Sequence, residues 1–313
     1  HVHLFVGAAE LDHLPLLGVQ GMDALRGALL DFAARHPDRA ILVGQGAMYD
    51  TLDTRMTRHD LDAIIPDRPV ILNCADHHAA WANTAALTAA GIIDGRALSA
   101  GNEIVMGEDG RATGELREFE AVGLVMALAD EDRVTLGLHK GTEPEAPPSA
   151  GDRARDADII ANGLAHCARL GITSMTNMDG NRYTLEVLRD LHGQGRLTAR
   201  VKVPYHHQNW RDPADLDQAS ALARDFDGEW VSSGFVKAFL DGVGESYTAA
   251  LLDDYPDRPG WNGELLFSPA AFAALATDVD RRGLQMAVHA VGDRAVQVAV
   301  PYTHQTLPTI HPL

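Results

Sequence analysis

Two histidines at the start of the chain have the spacing of a metal-binding pair. His1 and His3 flank Val2, and residues i and i+2 of a β-strand point to the same face, so both imidazoles could reach one cation. A remnant at a chain start would give the same pair without any site. The apolar residues 4–6 extend the predicted strand and favour the metal-binding interpretation.

Lys237 is a charged residue inside an apolar run, residues 235–239, that predicts a strand. Burying an unpaired ammonium group costs several kcal/mol, and a protonated lysine cannot ligate a metal. An amine that has reacted with CO2 is instead a carbamate, an anion able to bridge two divalent ions. The alternative is a surface lysine whose stem covers apolar neighbours while its ammonium group reaches water.

His289 ends another apolar run, residues 286–288, and leads into a loop that contains Gly292. Barrels of alternating strands and helices place their functional groups where a strand ends and such a loop begins. His289 is therefore a candidate ligand. A strand-end histidine with satisfied hydrogen bonds is the alternative.

The elements that must position these residues form a regular alternation of apolar runs and amphipathic helices. Continuous apolar strands that alternate with helices indicate a parallel sheet covered on both faces, and a doubly wound sheet and a barrel both fit. Thr57 and Asp60 predict a capping box, and Ser268 with Pro269 predicts another helix start. Strands are predicted at 40–44, 69–74, 172–176, 199–204, 234–240 and 284–289.

Three stretches depart from the alternation. The turn signal at residues 108–111 predicts a hairpin within about 101–120, inserted over the barrel mouth, and residues 140–151 are rich in Pro and Gly. From about 297 to 313, three prolines and no helical stripe stand where a helix should follow the last strand. We expect this tail to be anomalous and outside the native barrel.

The composition narrows the class of protein. The chain has 313 residues, 26 Lys and Arg against 44 Asp and Glu, and a net charge of −18, which argues against nucleic-acid binding. No apolar run reaches the roughly 18–20 residues of a membrane span. Cys74 and Cys167 are too few for a disulfide framework, so a cytoplasmic location is expected. The chain opens without Met or a basic leader, so we expect the true N-terminus to be missing, which leaves a signal peptide open.

Six short motifs occur together in a recognisable order. Their order and spacing resemble family 3 of the amidohydrolase superfamily, the group of YtcJ-like proteins and N-substituted formamide deformylases, from residue 1 to about 296. The motifs are 1–4 (HVHL), 76–83 (DHHAAWAN), 113–118 (TGELRE), 171–174 (GITS), 236–242 (VKAFLDG) and 289–295 (HAVGDRA).

The resemblance implies a (β/α)8 TIM-type barrel with metal at the carboxyl ends of its strands. The implied ligands are His1 and His3 on the first strand, a carboxylated Lys237 on the fourth and His289 on the fifth. His78 would contact the substrate or a developing oxyanion. The residues expected to contact substrate, pack, orient or pair around this site are Trp81, Glu118, Asp241, Asp293 and Arg294.

The family pattern also includes features that this sequence lacks. Members continue with a Glu-His motif on the sixth strand and, on the eighth, an Asp that binds metal and takes the proton of the attacking water. Nothing after Ala295 supplies them, and the Asp before the first histidine pair and a small β-sandwich are absent too. We expect residues 1–296 to form about strands 1–5 of the barrel, with an insertion at about 101–150, in a chain cut at both ends.

The implied activity is hydrolysis of an amide or formamide C–N bond by a metal-activated water. One or two divalent ions are expected, and mixed nitrogen and oxygen ligands suit Zn²⁺ without excluding iron, manganese or nickel. The alternatives are a related hydrolase of lactones, esters or cyclic amides, and a catalytically inactive fragment. A small-molecule amide is the expected partner, with neither nucleic acid nor membrane, and a homodimer is left open.

Overall fold

The protein is described here by a computed structural model, which covers residues 1–99, 101–129, 132–139, 141–244 and 246–303. Its internal contacts divide the chain into two compact units. Ala9–Arg133 is called the small unit, and His1–Ala8 together with Val134–Leu313 is called the large unit. The insertion expected at about 101–150 lies across this division, since its first part belongs to the small unit and its last part to the large one.

The helices and strands follow one another along the whole described chain, and single turns of 3-10 helix occur at Ala127–Ala129 and Pro213–Asp215. Within the described ranges, no helix has both the length and the apolar character needed to cross a bilayer. Up to residue 126 the elements are α1 (Leu4–Glu10), β1 (Leu14–Pro15), α2 (Met22–Arg35), β2 (Leu42–Ala47), α3 (Arg58–Asp62), β3 (Val70–Cys74), β4 (Ala79–Ala82), α4 (Thr84–Ala89), β5 (Glu103–Met106), β6 (Ala112–Arg117) and α5 (Glu118–Met126). From residue 132 they are α6 (Asp132–His139), α7 (Ala150–Arg169), β7 (Ser174–Thr176), α8 (Arg182–Gly193), β8 (Arg200–Lys202), β9 (Tyr205–His206), α9 (Leu216–Asp225), β10 (Val231–Ser232), β11 (Phe235–Phe239), α10 (Pro269–Arg281), β12 (Gln285–His289) and α11 (Asp293–Thr303).

The small unit contains one mixed sheet with the strand order β1-β2-β3-β4-β6-β5. β1, β2 and β3 are parallel, whereas β4, β6 and β5 pair antiparallel. β3 pairs in parallel with β2, as predicted, whereas β4 pairs with β3 antiparallel, because the short connection at 75–78 leaves no room for a crossover helix. The predicted hairpin is confirmed as β5 and β6.

Both faces of this sheet are covered by apolar side chains. Leu42, Leu72 and Trp81 belong to one buried cluster, which includes the apolar stripe of α2. Val43 and Ile71 belong to a second cluster with side chains of α4 and α5. Successive strand residues point to opposite faces, so a sheet buried on both faces needs the continuous apolar runs seen in β2 and β3.

The large unit is built from parallel strands joined by helices. Val2 pairs with Asn177, just beyond β7, and β7 pairs with β8, which pairs with β10. β9 continues the line of β8 and pairs with β11, which continues β10 and pairs with β12. The neighbouring positions are therefore Val2, β7, β8 with β9, β10 with β11, and β12. Lys237 lies on the fourth position and His289 on the fifth, as the family resemblance implied.

The prediction that residues 4–6 extend the opening strand is wrong, because Leu4–Glu10 form α1. The backbone N–H of Leu4 donates to the Asn177 side chain instead of to a neighbouring strand. Leu4, Phe5 and Ala8 are buried at helical spacing. A run of three apolar residues is too short to separate a strand from a helix by periodicity.

The prediction that residues 297–313 contain no helix is wrong for their first part. α11 runs from Asp293 to Thr303 and contains Pro301. Ala295 and Ala299, four residues apart, are its buried positions, and small residues form a less visible stripe than Leu or Ile. Residues 304–313 of the expected anomalous tail lie outside the described residues.

Candidate functional site

Lys237 lies in the middle of β11 and is buried, with 2% of its surface exposed. This burial rules out a surface lysine that reaches water. Burial lowers the pKa of Lys237 to about 8, although the nearby charge of Asp179 acts in the opposite direction. The Lys237 Nζ atom lies 4.7 Å from the centroid of the Phe239 ring. A larger fraction of this amine is therefore uncharged near neutral pH than of an ordinary lysine, and only the uncharged amine reacts with CO2.

His206 stands opposite Lys237 on the neighbouring strand β9 and is 1% exposed. Its Nδ1 lies 2.7 Å from the carbonyl oxygen of Gly137, which can only accept, so Nδ1 carries the ring proton. Burial lowers the pKa of His206 to about 3, further helped by the charge of Lys237. The ring is therefore neutral and its Nε2 bears a lone pair, the tautomer that ligates metals. That Nε2 is buried and has no hydrogen-bond partner among the described residues.

Asp179 follows β7 and is fully buried. Its Oδ1 accepts a hydrogen bond of 2.5 Å from the Asn177 side chain and lies 3.7 Å from His3 Nδ1. Asn177 also accepts from the Leu4 N–H, so one amide side chain fixes both the carboxylate and the start of α1. The Oδ2 atom of Asp179 has no partner within the described part of the chain.

His1 and His3 lie close together but have different surroundings. Their ring centroids are 6.0 Å apart, and His3 reaches Asp179 while 39% of its side chain stays exposed. His1 instead lines an open pocket of about 400 Å³ beside residues that begin β7 and β8, Ser174 and Arg200 among them. His3 is therefore the member of the pair that the structure joins to Lys237 and its neighbours.

His289 closes β12 and pairs in register with Phe239. Their ring centroids are 4.8 Å apart, and the His289 Nε2 lies 3.0 Å from the carbonyl oxygen of Gly242. The Phe239 ring also lies 5.2 Å from the His206 ring. One aromatic side chain therefore touches the two imidazoles and the amine, and it gathers Lys237, His206 and His289 at one place in the sheet.

Asp241 orients the loop next to His289. It is 1% exposed, and its carboxylate accepts hydrogen bonds from three backbone N–H groups, those of Ala250 (2.9 Å), Val291 (3.0 Å) and Gly292 (2.8 Å). Both carboxylate oxygens are thus used by the backbone. This geometry suits the orienting role predicted for Asp241 rather than metal ligation.

Asp293 and Arg294 begin α11 and contact the same loops. The Asp293 Oδ1 accepts from the backbone N–H groups of Leu252 (2.8 Å) and Arg294 (2.9 Å). The Arg294 N–H donates to the carbonyl oxygen of Ala250 at 3.2 Å. These two residues therefore contribute to loop structure near His289 through their backbone and one carboxylate.

In the small unit, His78 and Glu118 form a mostly buried pair. The His78 Nδ1 lies 2.8 Å from Glu118 Oε2, and the Glu118 N–H donates to the His78 carbonyl oxygen at 2.8 Å. The φ angles of His77 and Glu118 are 65° and 64°, values that non-glycine residues adopt at a cost. Glu118 thus pairs with His78 and fixes its ring, a partner that the sequence did not indicate.

Trp81 is 2% exposed in the middle of β4 and belongs to the core cluster of the small unit. Its ring meets Tyr49 edge-on, with centroids 5.4 Å apart. Of the two roles considered for Trp81, substrate contact and packing, these contacts are those of a packing residue.

The donor atoms of the large unit fit a divalent ion only if Lys237 contributes. Within the described ranges, no group of three His, Cys, Asp or Glu side chains has the spacing of a metal site. The His206 Nε2 and Asp179 Oδ2 atoms are nevertheless buried without partners, and His3 lies beside the carboxylate. A carbamate on Lys237 would add two oxygen donors and complete a mixed nitrogen and oxygen set of the kind that suits Zn²⁺.

The chain is similar in sequence to known proteins over most of its length. The chain is 27% identical over 304 residues to "Putative amidohydrolase YtcJ" of Bacillus subtilis, an alignment that covers 95% of this chain and 52% of that protein. It is 23% identical over 247 residues to "N-substituted formamide deformylase" of Arthrobacter pascens, covering 78% and 42%. The chain thus spans about half the length of the curated relatives it matches.

A solved structure has the same fold. The chain superimposes with a TM-score of 0.66 and 25% identity on an uncharacterized metal-dependent hydrolase from Pyrococcus horikoshii, covering 98% of this chain and 55% of that one. The profile of the amidohydrolase family matches residues 1–308, nearly the whole sequence. The resemblance noticed in the six motifs is thereby confirmed, and the chain belongs to the amidohydrolase family.

Proposed function

We propose that this chain carries the metal-binding strands of a hydrolase that cleaves an amide or formamide C–N bond with a metal-activated water. The observation that carries the proposal is Lys237, 2% exposed on a parallel strand, in register with the buried His206 and under the electrostatic influence of the buried Asp179 carboxylate. The names of the relatives, an amidohydrolase, a formamide deformylase and a metal-dependent hydrolase, support the reaction class.

Lys237 would enter the site as a carbamate. Its uncharged Nζ would attack the carbon of CO2, so that a C–N bond forms while one C=O π bond breaks and its electron pair passes to oxygen. One proton leaves the nitrogen for solvent, and the lysine becomes an anion with two oxygen donors. Burial favours this step, because it lowers the pKa of Lys237 to about 8. No co-reactant other than CO2 is needed.

His1, His3, Lys237 and His289 are the residues proposed to hold the ion, Zn²⁺ in the first instance, as one or two ions. When bound, such an ion supplies a nucleophilic water at neutral pH and polarises the scissile carbonyl. Asp241 keeps the loop after His289 in place through its three backbone hydrogen bonds.

His78 is proposed as a substrate contact that stabilises the developing oxyanion. Its Nδ1 is held by Glu118 at 2.8 Å, which fixes the plane of the ring. Groups that stabilise a developing oxyanion are effective when they are oriented before the reaction begins.

The test compares two strand lysines. Lys237→Ala should lose bound metal and hydrolysis of formamides and amides, and short carboxylic acids should partly restore both by replacing the carbamate. Lys202→Ala is the matched control, since Lys202 is half-buried on β8 with its Nζ 5.6 Å from the Phe235 ring, and it should retain metal and activity.

Two results would contradict parts of this proposal. Preference for lactones or esters over amides in the same substrate panel would favour the related hydrolase. Full metal content and activity in Lys237→Ala, without any effect of added acid, would remove the carbamate from the mechanism.

A further inference from the structure

His206 carries an unsatisfied nitrogen in a buried position. Its Nδ1 is used by the Gly137 carbonyl oxygen at 2.7 Å, and its Nε2 has no partner among the described residues. A buried acceptor left without a hydrogen bond destabilises the folded chain. The fixed Nδ1 contact is also the arrangement by which proteins orient a histidine that ligates a metal through its other nitrogen.

Asp179 carries the second unsatisfied atom. Its side chain is fully buried and its Oδ2 has no partner within the described ranges, while Oδ1 accepts from Asn177 and lies 3.7 Å from His3 Nδ1. A buried carboxylate is costly unless positive charge or hydrogen-bond donors surround it. Oδ2 is therefore a strong site for a cation.

Both atoms belong to the surroundings of Lys237. Lys237 and His206 are register partners on neighbouring parallel strands, so their side chains lie on the same face of the sheet, and both contact the Phe239 ring. Asp179 interacts electrostatically with Lys237, and His206 does so with both Lys237 and His3. The four residues thus form one cluster drawn from four neighbouring strand positions.

The cluster changes from neutral to doubly negative when Lys237 is carboxylated. Before carboxylation, the Lys237 ammonium offsets the Asp179 carboxylate. Afterwards the carbamate and the carboxylate place two negative charges in a buried space, which is stable only with a compensating cation. A divalent ion with ligand atoms from Asp179 and His206 would supply that compensation.

We propose that His206 Nε2 and Asp179 Oδ2 are two further ligands of the divalent ion, contributed by the third and second strand positions of the large unit. The inference rests on the proposed function, since Lys237 must supply the carbamate. The competing explanation is a buried water molecule that bridges the two atoms, in which case neither residue contributes to metal affinity.

The experiment titrates the chelator-treated 313-residue chain with Co²⁺ in bicarbonate buffer and follows the visible absorption of bound Co²⁺, which reports the number and type of ligands. The variants are Asp179→Asn, which keeps the shape of the side chain, and His206→Phe, which keeps a buried ring without nitrogen. His207→Phe is the matched control, because His207 is also buried with an unpartnered Nδ1 but points to the other face of the strand. Circular dichroism checks that each variant is folded.

Asp179→Asn and His206→Phe should each bind Co²⁺ at least about tenfold more weakly and with an altered absorption spectrum, whereas His207→Phe should match the wild type. Wild-type affinity and spectrum in both variants, with binding lost in Lys237→Ala, would overturn this inference alone. Weaker Co²⁺ binding with an unchanged absorption spectrum would also overturn this inference, since Asp179 and His206 would then support the site without ligating the ion. Wild-type binding in Lys237→Ala, or none in the wild type, would overturn the proposed function itself.

Discussion

At the scale of single residues, the large unit keeps an ionisable amine where the protein gains no obvious stability from it. Lys237 is almost fully buried on a strand of apolar residues, and the fully buried Asp179 is the acidic group that acts on it. An apolar side chain at this position would avoid the desolvation cost. A lysine at this buried position is therefore consistent with a chemical role for its amine.

The stability of the metal-free chain in CO2-free buffer should depend on this lysine. Its pKa is about 8 in the folded chain and 10.5 as an ordinary value, so between these pH values the unfolded chain binds more protons. The free energy of unfolding should therefore rise with pH in this window, by up to about 3 kcal/mol. Urea unfolding of the wild type and Lys237→Met near pH 8 and near pH 10 measures it. If the free energies of unfolding of the wild type and Lys237→Met differed by the same amount at both pH values, the buried, titrating amine would be contradicted.

The sequence singled out two members of this cluster, Lys237 and His3, and missed the other two. Lys237 was recognisable because it interrupts a long apolar run, and His3 because it stands two residues after His1. Asp179 and His206 also follow predicted strands closely, at residues 172–176 and 199–204. Nothing in their spacing shows that each has an unsatisfied buried atom, since burial depends on which strands become neighbours.

At the scale of elements, the loops after β11 and β12 are held together by one carboxylate. Asp241→Ala would leave three N–H groups without their acceptor in a buried region. We expect it to lower the free energy of unfolding by about 3 kcal/mol or more. Asp293→Ala, which removes an exposed carboxylate with two such contacts, should cost about 1 kcal/mol. If urea unfolding showed the same decrease in the free energy of unfolding for Asp241→Ala and Asp293→Ala, the structural role of Asp241 would be contradicted.

The helix α6 approaches the loop after β7 so closely that only glycine fits. A Cβ atom on Gly137 would lie 2.4 Å from the backbone of Gly180. Gly137→Ala must therefore displace the carbonyl group that orients His206, and we expect it to cost about 1–3 kcal/mol of stability and to weaken Co²⁺ binding. Gly193→Ala in α8, where no atom lies within 4 Å of the new Cβ, should be neutral or slightly stabilising. Similar effects of the two substitutions on stability and on binding would contradict the close approach.

Helices and strands were predicted most reliably where the apolar pattern is long. The capping box is confirmed, with the Thr57 N–H donating to Asp60 at 2.8 Å, and Ser268 caps α10 as expected. The errors fall on short patterns. The apolar residues 4–6 predicted a strand, although they begin a helix that is stabilised by a distant side chain, that of Asn177. The small buried residues of α11 did not form a recognisable apolar stripe.

At the scale of the whole molecule, the parallel strands of the large unit leave two edges without a neighbouring strand in the described residues, one at Val2 and one at β12. Unpaired N–H and C=O groups at such edges favour association with other chains. We expect the 313-residue chain alone to unfold at low denaturant concentration and to associate as its concentration rises. Analytical ultracentrifugation with urea unfolding tests this, and a monomer with one cooperative unfolding transition would contradict it.

The parallel order of Val2, β7, β8 with β9, β10 with β11, and β12 follows from the alternation that the sequence shows. The separation of Ala9–Arg133 into its own unit was not predicted, because its strands β2 and β3 have the same apolar pattern as those of the large unit. Periodicity reports the burial of a strand, and it does not report which sheet the strand joins.

We expect Lys237 to be carboxylated when a divalent ion binds. Carbon-13 NMR of the wild type, equilibrated with Zn²⁺ and carbon-13 bicarbonate, should show a carbamate resonance that is absent in Lys237→Ala and present in Lys202→Ala. A wild-type protein that binds Zn²⁺ without this resonance, or a resonance that persists in Lys237→Ala, would show that Lys237 is not the carboxylated group.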